Sequence, residues 1–230
     1  MYDADILFNP PAWDALVETQ QALFRTKALE NISDRLRQEF YHGHVPNREM
    51  PVIDPNDWNT TLLAAYADRP LGYDLPCLLS AERAPKGRIM LCAQDPLRGN
   101  GPARLTVGTF FGIDSQYHRT RRHWGMIWQL VRSFVESGYD VWVTDAIKIF
   151  AGKNIVLKDE RLCELCYAVM AEEIASFQPD RVVAFGSVAD GALRAARAGQ
   201  HVIRVPHPTA RGIRGSFRDR FDLYRNAILG

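Results

Sequence analysis

Two short segments of this 230-residue chain each combine a rigid turn with a side chain that can do chemistry. Residues 93–97 read Ala-Gln-Asp-Pro-Leu, and residues 205–209 read Val-Pro-His-Pro-Thr. Each segment follows an apolar run typical of a buried strand, and its prolines end that strand sharply. Because the carboxyl ends of parallel strands share one edge of a sheet, the carboxylate of Asp95 and the imidazole of His207 are expected to meet in one crevice.

The elements that would position these two side chains alternate along the second part of the chain. Strands are expected at 88–92, 140–144, 181–185 and 201–205. Helices are expected at 121–137, 159–177, 187–199 and 217–229. Short apolar runs separated by helices are typical of a parallel sheet covered on both faces. We therefore predict an α/β fold with three layers, α/β/α, around a central and mainly parallel four-stranded sheet.

The length of the chain suits one sizeable core, so we predict a single domain over residues 1–230. Its α/β core is expected to span residues 88–230. Residues 12–40 carry helical periodicity, and a proline-rich stretch with a short helical piece at 58–67 follows them. Residues 1–87 are therefore expected to wrap the core as helices and loops.

The composition describes an ordinary globular protein, because 47% of the residues are apolar and 24% are charged. The net charge of +1 excludes a generally basic protein. No apolar run approaches membrane-spanning length, and the first residues lack the basic region of a signal peptide. We expect a cytoplasmic monomer that does not bind a membrane.

Cysteine spacing gives little indication of a metal site. Cys163 and Cys166 lie three residues apart in an expected helix, whereas Cys92 lies in an expected strand. A metal or iron–sulfur site would require Cys77 and Cys92 to meet that pair in space. Separate buried thiols are expected instead, with no metal and no other cofactor.

In their order along the chain, four motifs resemble those of the uracil-DNA glycosylase superfamily, over roughly residues 88–215. Residues 93–96 look like its water-activating Gly-Gln-Asp-Pro loop, and residues 108–111 match its Gly-x-x-Phe segment. Residues 143–148 lie where the family has a base-reading strand end, and residues 207–211 resemble its His-Pro-Ser loop. The resemblance implies the same α/β/α fold and a DNA glycosylase that needs no cofactor.

The resemblance also implies roles for individual side chains. Asp95 would orient the attacking water and stabilise the cationic sugar, and His207 would donate a hydrogen bond to the base as it becomes an anion. The flipped base would be held by Gln94, Leu97, Phe111 and Asp145. DNA would be contacted by Arg119, Arg121, Arg122, Thr209, Arg211 and Arg214. Taken alone, Asp95 could instead cap a helix and His207 could be a structural turn residue.

Two positions depart from the family pattern and change the expected substrate. Asp145 stands where the family usually has asparagine, and an ionised carboxylate only accepts hydrogen bonds, which suits the N4 amine of cytosine and opposes uracil O4. A protonated Asp145 would still read uracil, and a bond to Lys148 or to a backbone amide would keep it away from the base. Leu97 replaces a tyrosine that crowds pyrimidine C5, so a C5 substituent is expected to fit, within reach of Arg98 or Asn100.

The sequence therefore predicts a glycosylase that removes C5-modified cytosine, hydroxymethylated or glucosylated, from single- or double-stranded phage DNA as a host defence. Three alternatives remain open. The first is a uracil-DNA glycosylase of base-excision repair, and the second is a non-catalytic DNA-binding member of the fold. The third is a small-ligand protein that binds an anion at Gly186 and Ser187, before a helix.

Overall fold

Strands from both halves of the chain assemble into two mixed sheets in a computed structural model of the protein. The structure describes residues 5–43, 49–99, 101–196, 202–208, 210 and 215–230, with the backbone only at 122 and 123. The strands are β1 (Leu7–Phe8), β2 (Val52–Ile53), β3 (Leu71–Leu75), β4 (Cys77–Ser80), β5 (Gly87–Ala93), β6 (Leu105–Thr109), β7 (Tyr139–Asp145), β8 (Ile149–Phe150), β9 (Arg181–Phe185) and β10 (Val202–Val205). The six-stranded sheet has the order β1-β4-β7-β5-β9-β10, and the four-stranded sheet has the order β2-β6-β3-β8.

The four strands expected from apolar runs are present and adjacent. β5 lies between β7 and β9 and is parallel to both, and β10 is parallel to β9. The register aligns Ala93 with Asp145, the last residues of β5 and β7. The loops that follow these parallel strands therefore leave the sheet at one edge, where ligands bind in open α/β sheets.

The prediction of a four-stranded central sheet is wrong about its size. β4 pairs antiparallel with β7, and β1 pairs antiparallel with β4, so the sheet has six strands. Pro70 and Pro76 made this region look like a loop, but they precede β3 and β4 directly. Proline is tolerated at the edge of a strand, where its missing N–H breaks no ladder hydrogen bond.

The second sheet was not expected at all. β3 is parallel to β6, while β2 and β8 pair antiparallel at its two edges. β6 lies between the strand expected at 88–92 and the helix expected at 121–137, where no element was predicted. Residues 1–87 thus supply strands to both sheets, which corrects the prediction that they only wrap the core as helices and loops.

The helices follow the sequence pattern more closely. They are α1 (Ala12–Val17), α2 (Thr26–His42), α3 (Gln116–Arg119), α4 (Arg122–Glu136), α5 (Glu160–Phe177), α6 (Ser187–Ala195) and α7 (Phe217–Leu229). Asp159 caps α5 by accepting a hydrogen bond from the Leu162 N–H, and Ser216 and Asp219 form a capping box at α7. The helix expected over 12–40 is interrupted between α1 and α2, where residues 18–20 form a 3-10 helix.

The helices pack against the six-stranded sheet in two groups. α4 packs on β4 and β7 and contacts α7, which lies on β10. α6 packs on β5, β9 and β10 and contacts α5, which in turn contacts α1. One contiguous apolar core runs from Ile6 to Ile228.

All four cysteines are buried and free, as expected. Burial raises the pKa of the Cys77 and Cys92 thiols well above the ordinary value. None of the helices in the described part of the chain is long and apolar enough to cross a membrane.

Candidate functional site at the carboxyl edge of the parallel strands

Asp95 lies on a tight turn two residues after the end of β5. The Leu97 N–H donates to the Asp95 carbonyl oxygen (2.9 Å), and Pro96 is buried beneath the turn. Residues 95–99 are not helical, so Asp95 caps no helix at this turn. Its role as a helix cap is thereby excluded, and the carboxylate is held half-buried at the edge of the sheet.

The surroundings of Asp95 shift the pKa of its carboxyl group. Burial raises the pKa of Asp95, a hydrogen bond from Gln94 Nε2 (3.0 Å) opposes that rise, and the charge of Asp74 adds to it. Gln94 thus touches the carboxylate directly. A carboxylate with a raised pKa is a better proton acceptor than an ordinary aspartate.

Asp145 ends β7 next to the Asp95 turn. The N–H groups of Ala146 and Ile147 donate to the carbonyl oxygens of Ala93 (2.9 Å) and Gln94 (2.8 Å). These two bonds tie the loop after β7 to the loop after β5. The relative position of the two loops is therefore fixed by backbone contacts.

The side chain of Asp145 is only 4% exposed, and its Oδ2 atom has no hydrogen-bond partner among the described residues. Burial raises the pKa of Asp145 well above its ordinary value, the charges of Asp74 and Asp95 raise it further, and Lys148 and Arg98 oppose the rise. The group therefore keeps its proton to higher pH than an ordinary aspartate. A buried polar atom without a partner costs free energy, and a ligand group could satisfy it.

The hydrogen bonds of the Lys148 ammonium group go to residues other than Asp145. Its Nζ donates to Thr144 Oγ1 (2.6 Å) and to Glu173 Oε2 (2.7 Å), and Gln20 Nε2 donates to the other oxygen of Glu173 (2.6 Å). This buried network lies beneath the end of β7 and fixes the segment that follows it. The alternative in which Lys148 takes Asp145 away from a ligand loses its basis.

Phe111 lies on the loop after β6 in a strained conformation. It has a φ of +51°, within a 3-10 helix over Phe110–Gly112. A bulky residue with positive φ is uncommon, and such residues cluster at functional sites. The ring of Phe111 is half-buried and lies 5.7 Å from the ring of His207, at an interplanar angle of 32°. Phe110 points into the core and packs near Phe185.

His207 follows β10 on a turn that is fixed on both sides. The Tyr224 hydroxyl donates to the Pro206 carbonyl (2.8 Å), and the Ala210 N–H donates to the His207 carbonyl (2.8 Å). The half-buried imidazole lines a cavity of about 320 Å³ that it shares with Gln94 and with the start of α6. Gln94, which touches Asp95, therefore connects the carboxylate with the imidazole side of the site.

Arg98 joins the Asp95 turn to the four-stranded sheet, a link that the sequence did not predict. Its Nη2 donates to Asp74 Oδ1 (2.6 Å), and its Nε donates to Thr106 Oγ1 (3.3 Å). A Cβ atom at Gly72 or Gly108 would collide with the Arg98 side chain. These two glycines, one of them in the motif at 108–111, are the sequence signal that was available, because glycine lets another group approach the backbone closely.

The structure changes the roles expected of two neighbouring positions. Arg98 is engaged by Asp74, so it does not face a C5 substituent as the sequence suggested. Leu97 is 73% exposed, so its side chain is largely in solvent beside the Asp95 turn. Asn100, the other residue expected within reach, lies outside the described residues.

The expected DNA contacts are only partly placed. Arg119 is 6% exposed, and its guanidinium lies 4.2 Å from the ring centroid of Phe40 and 4.9 Å from that of Trp128. The prediction that it contacts DNA is wrong, because these aromatic rings hold it in the interior. Arg121 is exposed and lies over Tyr117. The side chain of Arg122 and the residues Thr209, Arg211 and Arg214 lie outside the described part of the structure.

Among the described residues, no group of three or more His, Cys, Asp or Glu side chains could hold a metal ion. No protein-family model matches the sequence, and no curated protein matches it. The site therefore has to be interpreted from its geometry. That geometry combines a carboxylate of raised pKa, a buried acid with one oxygen that lacks a hydrogen-bond partner among the described residues, and an aromatic ring beside an imidazole.

Proposed function

We propose that the protein is a DNA N-glycosylase that extrudes a pyrimidine nucleotide and hydrolyses its glycosidic bond, leaving an abasic site. One observation carries the proposal: Asp95 with its raised pKa, Asp145 with a buried oxygen that lacks a partner among the described residues, and His207 lie at one edge of the six-stranded sheet. The ring of Phe111, which follows β6 of the four-stranded sheet, lies beside the imidazole of His207. The two helix groups on the parallel strands support the three-layer α/β/α arrangement that the resemblance to the uracil-DNA glycosylase superfamily implies.

The proposed reaction uses only side chains of this chain and water. The extruded base stacks on Phe111, and Asp95 orients a water molecule towards the sugar C1′ while its charge stabilises the developing cation. The bond between C1′ and the base nitrogen breaks, and the base leaves with the electron pair. Water adds to C1′ and loses a proton, which ends on the departing base. His207 donates a hydrogen bond to base O2 while negative charge develops there.

Asp145 and Leu97 support a C5-modified cytosine as the substrate. A neutral Asp145 donates to cytosine N3 and accepts from the N4 amine, and an ionised Asp145 still accepts from N4. The exposed Leu97 leaves the expected C5 side open. Since an enzyme that removed ordinary cytosine would damage its own genome, the proposed target is hydroxymethylated or glucosylated cytosine in phage DNA.

Uracil is the second candidate, and the raised pKa of Asp145 favours it. In its neutral form Asp145 donates to uracil O4 and accepts from N3–H, as an asparagine would. A repair glycosylase for uracil then keeps the same roles for Asp95 and His207. The two candidate functions differ only in the base that the pocket accepts.

The decisive experiment incubates the purified protein with oligonucleotides that contain uracil, cytosine, 5-hydroxymethylcytosine or its glucosylated form. Abasic sites are scored by strand cleavage in alkali, and they are expected with the modified cytosines. Asp95→Asn and His207→Ala are expected to lower the rate about 100-fold or more. Asp140→Asn is the matched control, because Asp140 is also a half-buried aspartate of raised pKa but lies at the opposite end of β7.

The outcomes separate the two parts of the proposal. Abasic sites with uracil alone would overturn the modified-cytosine substrate and leave the glycosylase reaction standing. No abasic site with any of the four bases would overturn the reaction. Equal losses in Asp95→Asn and Asp140→Asn would remove Asp95 from the catalytic role.

A further inference from the structure

Exposed aromatic rings form a row along α3 and the start of α4. Tyr117 is 48% exposed and Trp124 is 43% exposed, although both are large and partly apolar. The ring of His118 lies between them, with its centroid 5.6 Å from that of Tyr117 and 5.0 Å from that of Trp124. The guanidinium of Arg121 lies 4.0 Å from the centroid of Tyr117. These four residues are here named the aromatic row.

The aromatic row lies next to the segment that carries Phe111 of the candidate site. Gly112 directly follows Phe111 and approaches His118 so closely that a Cβ atom at Gly112 would collide with the imidazole. Phe111 in turn lies beside His207. The aromatic row therefore lies next to the segment that carries Phe111, with the backbone of Gly112 between Phe111 and His118.

The chemistry of the aromatic row fits unpaired nucleotides. Nucleobases stack on exposed aromatic side chains regardless of sequence, and a neighbouring arginine attracts the phosphates. Bases inside a duplex are already stacked on each other, so their faces cannot reach such a surface. Arg121 thus places a positive charge beside Tyr117, one of the two exposed rings of the row.

We propose that the aromatic row binds the unpaired nucleotides next to the extruded one, and that single-stranded DNA is the preferred form of the substrate. The proposal rests on the proposed function, because it assigns the neighbouring strand to the same site. It requires no change in the fold, since the rings are exposed in the structure as it stands.

The test measures binding rather than excision. A fluorescent oligothymidine of about 12 nucleotides is titrated by anisotropy, alone and annealed to its complement. Tyr117→Ala and Trp124→Ala are each expected to weaken single-strand binding about 10-fold, with a much smaller effect on the duplex. Trp124→Phe should retain most of the affinity, because a ring remains. Leu223→Ala, which removes an exposed apolar side chain on α7, is the matched control.

The results can overturn this proposal independently of the reaction. Single-strand affinity unchanged in both alanine variants would overturn it, even if the wild-type protein excises a base. Equal losses on single-stranded and duplex DNA would also overturn it. If the variants instead dissociate a dimer in sedimentation and bind DNA normally, the row is a protein interface and the proposal is wrong. Selective loss of single-strand binding would support it even if no base is ever excised.

Discussion

In the proposed pocket, Asp145 would decide which base is accepted, because its protonation state determines whether it can donate a hydrogen bond. Burial, together with the charges of Asp74 and Asp95, raises its pKa. Below that pKa the neutral acid both donates and accepts, and above it the carboxylate only accepts. The choice of base at this position is therefore linked to pH.

We predict that excision of uracil falls with rising pH more steeply than excision of a modified cytosine. As the pH rises through the pKa of Asp145, the donor to uracil O4 disappears, whereas the contact with cytosine N4 persists. Single-turnover rates on both substrates across a pH series measure the difference. In Asp145→Asn the two alkaline limbs should coincide, because the amide does not titrate. If the pH profiles of the two substrates are parallel in the wild-type protein, Asp145 does not contact the base as proposed.

The sequence allowed some residues of the site to be predicted and left others out of reach. Asp95 and His207 follow predicted strands, so their place at one edge of the sheet could be predicted, whereas Phe111 was indicated only by the order of the motifs. The burial of Arg119 could not be predicted, because a run of basic residues does not indicate which of its side chains points into the core. Asp74 could not be found, since only the pairing of distant strands brings it to Arg98.

At the scale of elements, the four-stranded sheet holds the Asp95 turn in place through Arg98. The ion pair of Arg98 and Asp74 is largely buried, and the guanidinium also bonds to Thr106 on β6. Breaking one partner of such a pair leaves a buried charge without compensation, which costs more than the intact pair contributes. The Asp95 turn is therefore stabilised from a sheet to which it does not belong.

Arg98→Met is predicted to lower the free energy of unfolding by about 3 kcal/mol, measured by urea denaturation. The double variant Asp74→Asn with Arg98→Met should recover part of this loss, because no charge is left unpaired. Arg104→Met removes the partner of the exposed Glu49 and should cost less than about 1 kcal/mol. A similar cost for Arg98→Met would show that the pair does not stabilise the turn.

The strands that were predicted and those that were missed differ in their sequences. β5, β7 and β9 are continuous apolar runs of the kind that parallel sheets bury. β3 contains a glycine and an aspartate, and β6 contains a glycine, so residues that are rare in strands interrupt both segments. Their pairing depends on contacts between distant segments, which local patterns cannot reveal.

At the scale of the whole molecule, the two halves of the chain share one core. β4 is buried along its length and completes the sheet beside β7, while β3 forms the centre of the second sheet with β6. Alternation of strands and helices was enough to predict an α/β fold. It could not indicate how many strands the first 87 residues add.

A fragment of residues 88–230 is therefore predicted not to fold by itself. Without β4 and β3, one edge of β7 and one edge of β6 would lose their paired strand, and the apolar side chains of these strands would face water. Near-ultraviolet circular dichroism should show no fixed tertiary structure, and urea unfolding should lack a cooperative transition. Adding a separately prepared fragment of residues 1–87 should restore the signal. A cooperative transition in the shorter fragment alone would show that the first 87 residues are dispensable for folding.

The left-handed backbone at Phe111 has a consequence for how this protein can vary. Glycine would relax that conformation, at a position where a phenylalanine is strained. Random drift towards greater stability would therefore tend to replace this ring, and only selection on what the ring binds would retain it. Among natural variants of this chain, an aromatic residue at position 111 would thus mark the lineages in which the pocket is still used.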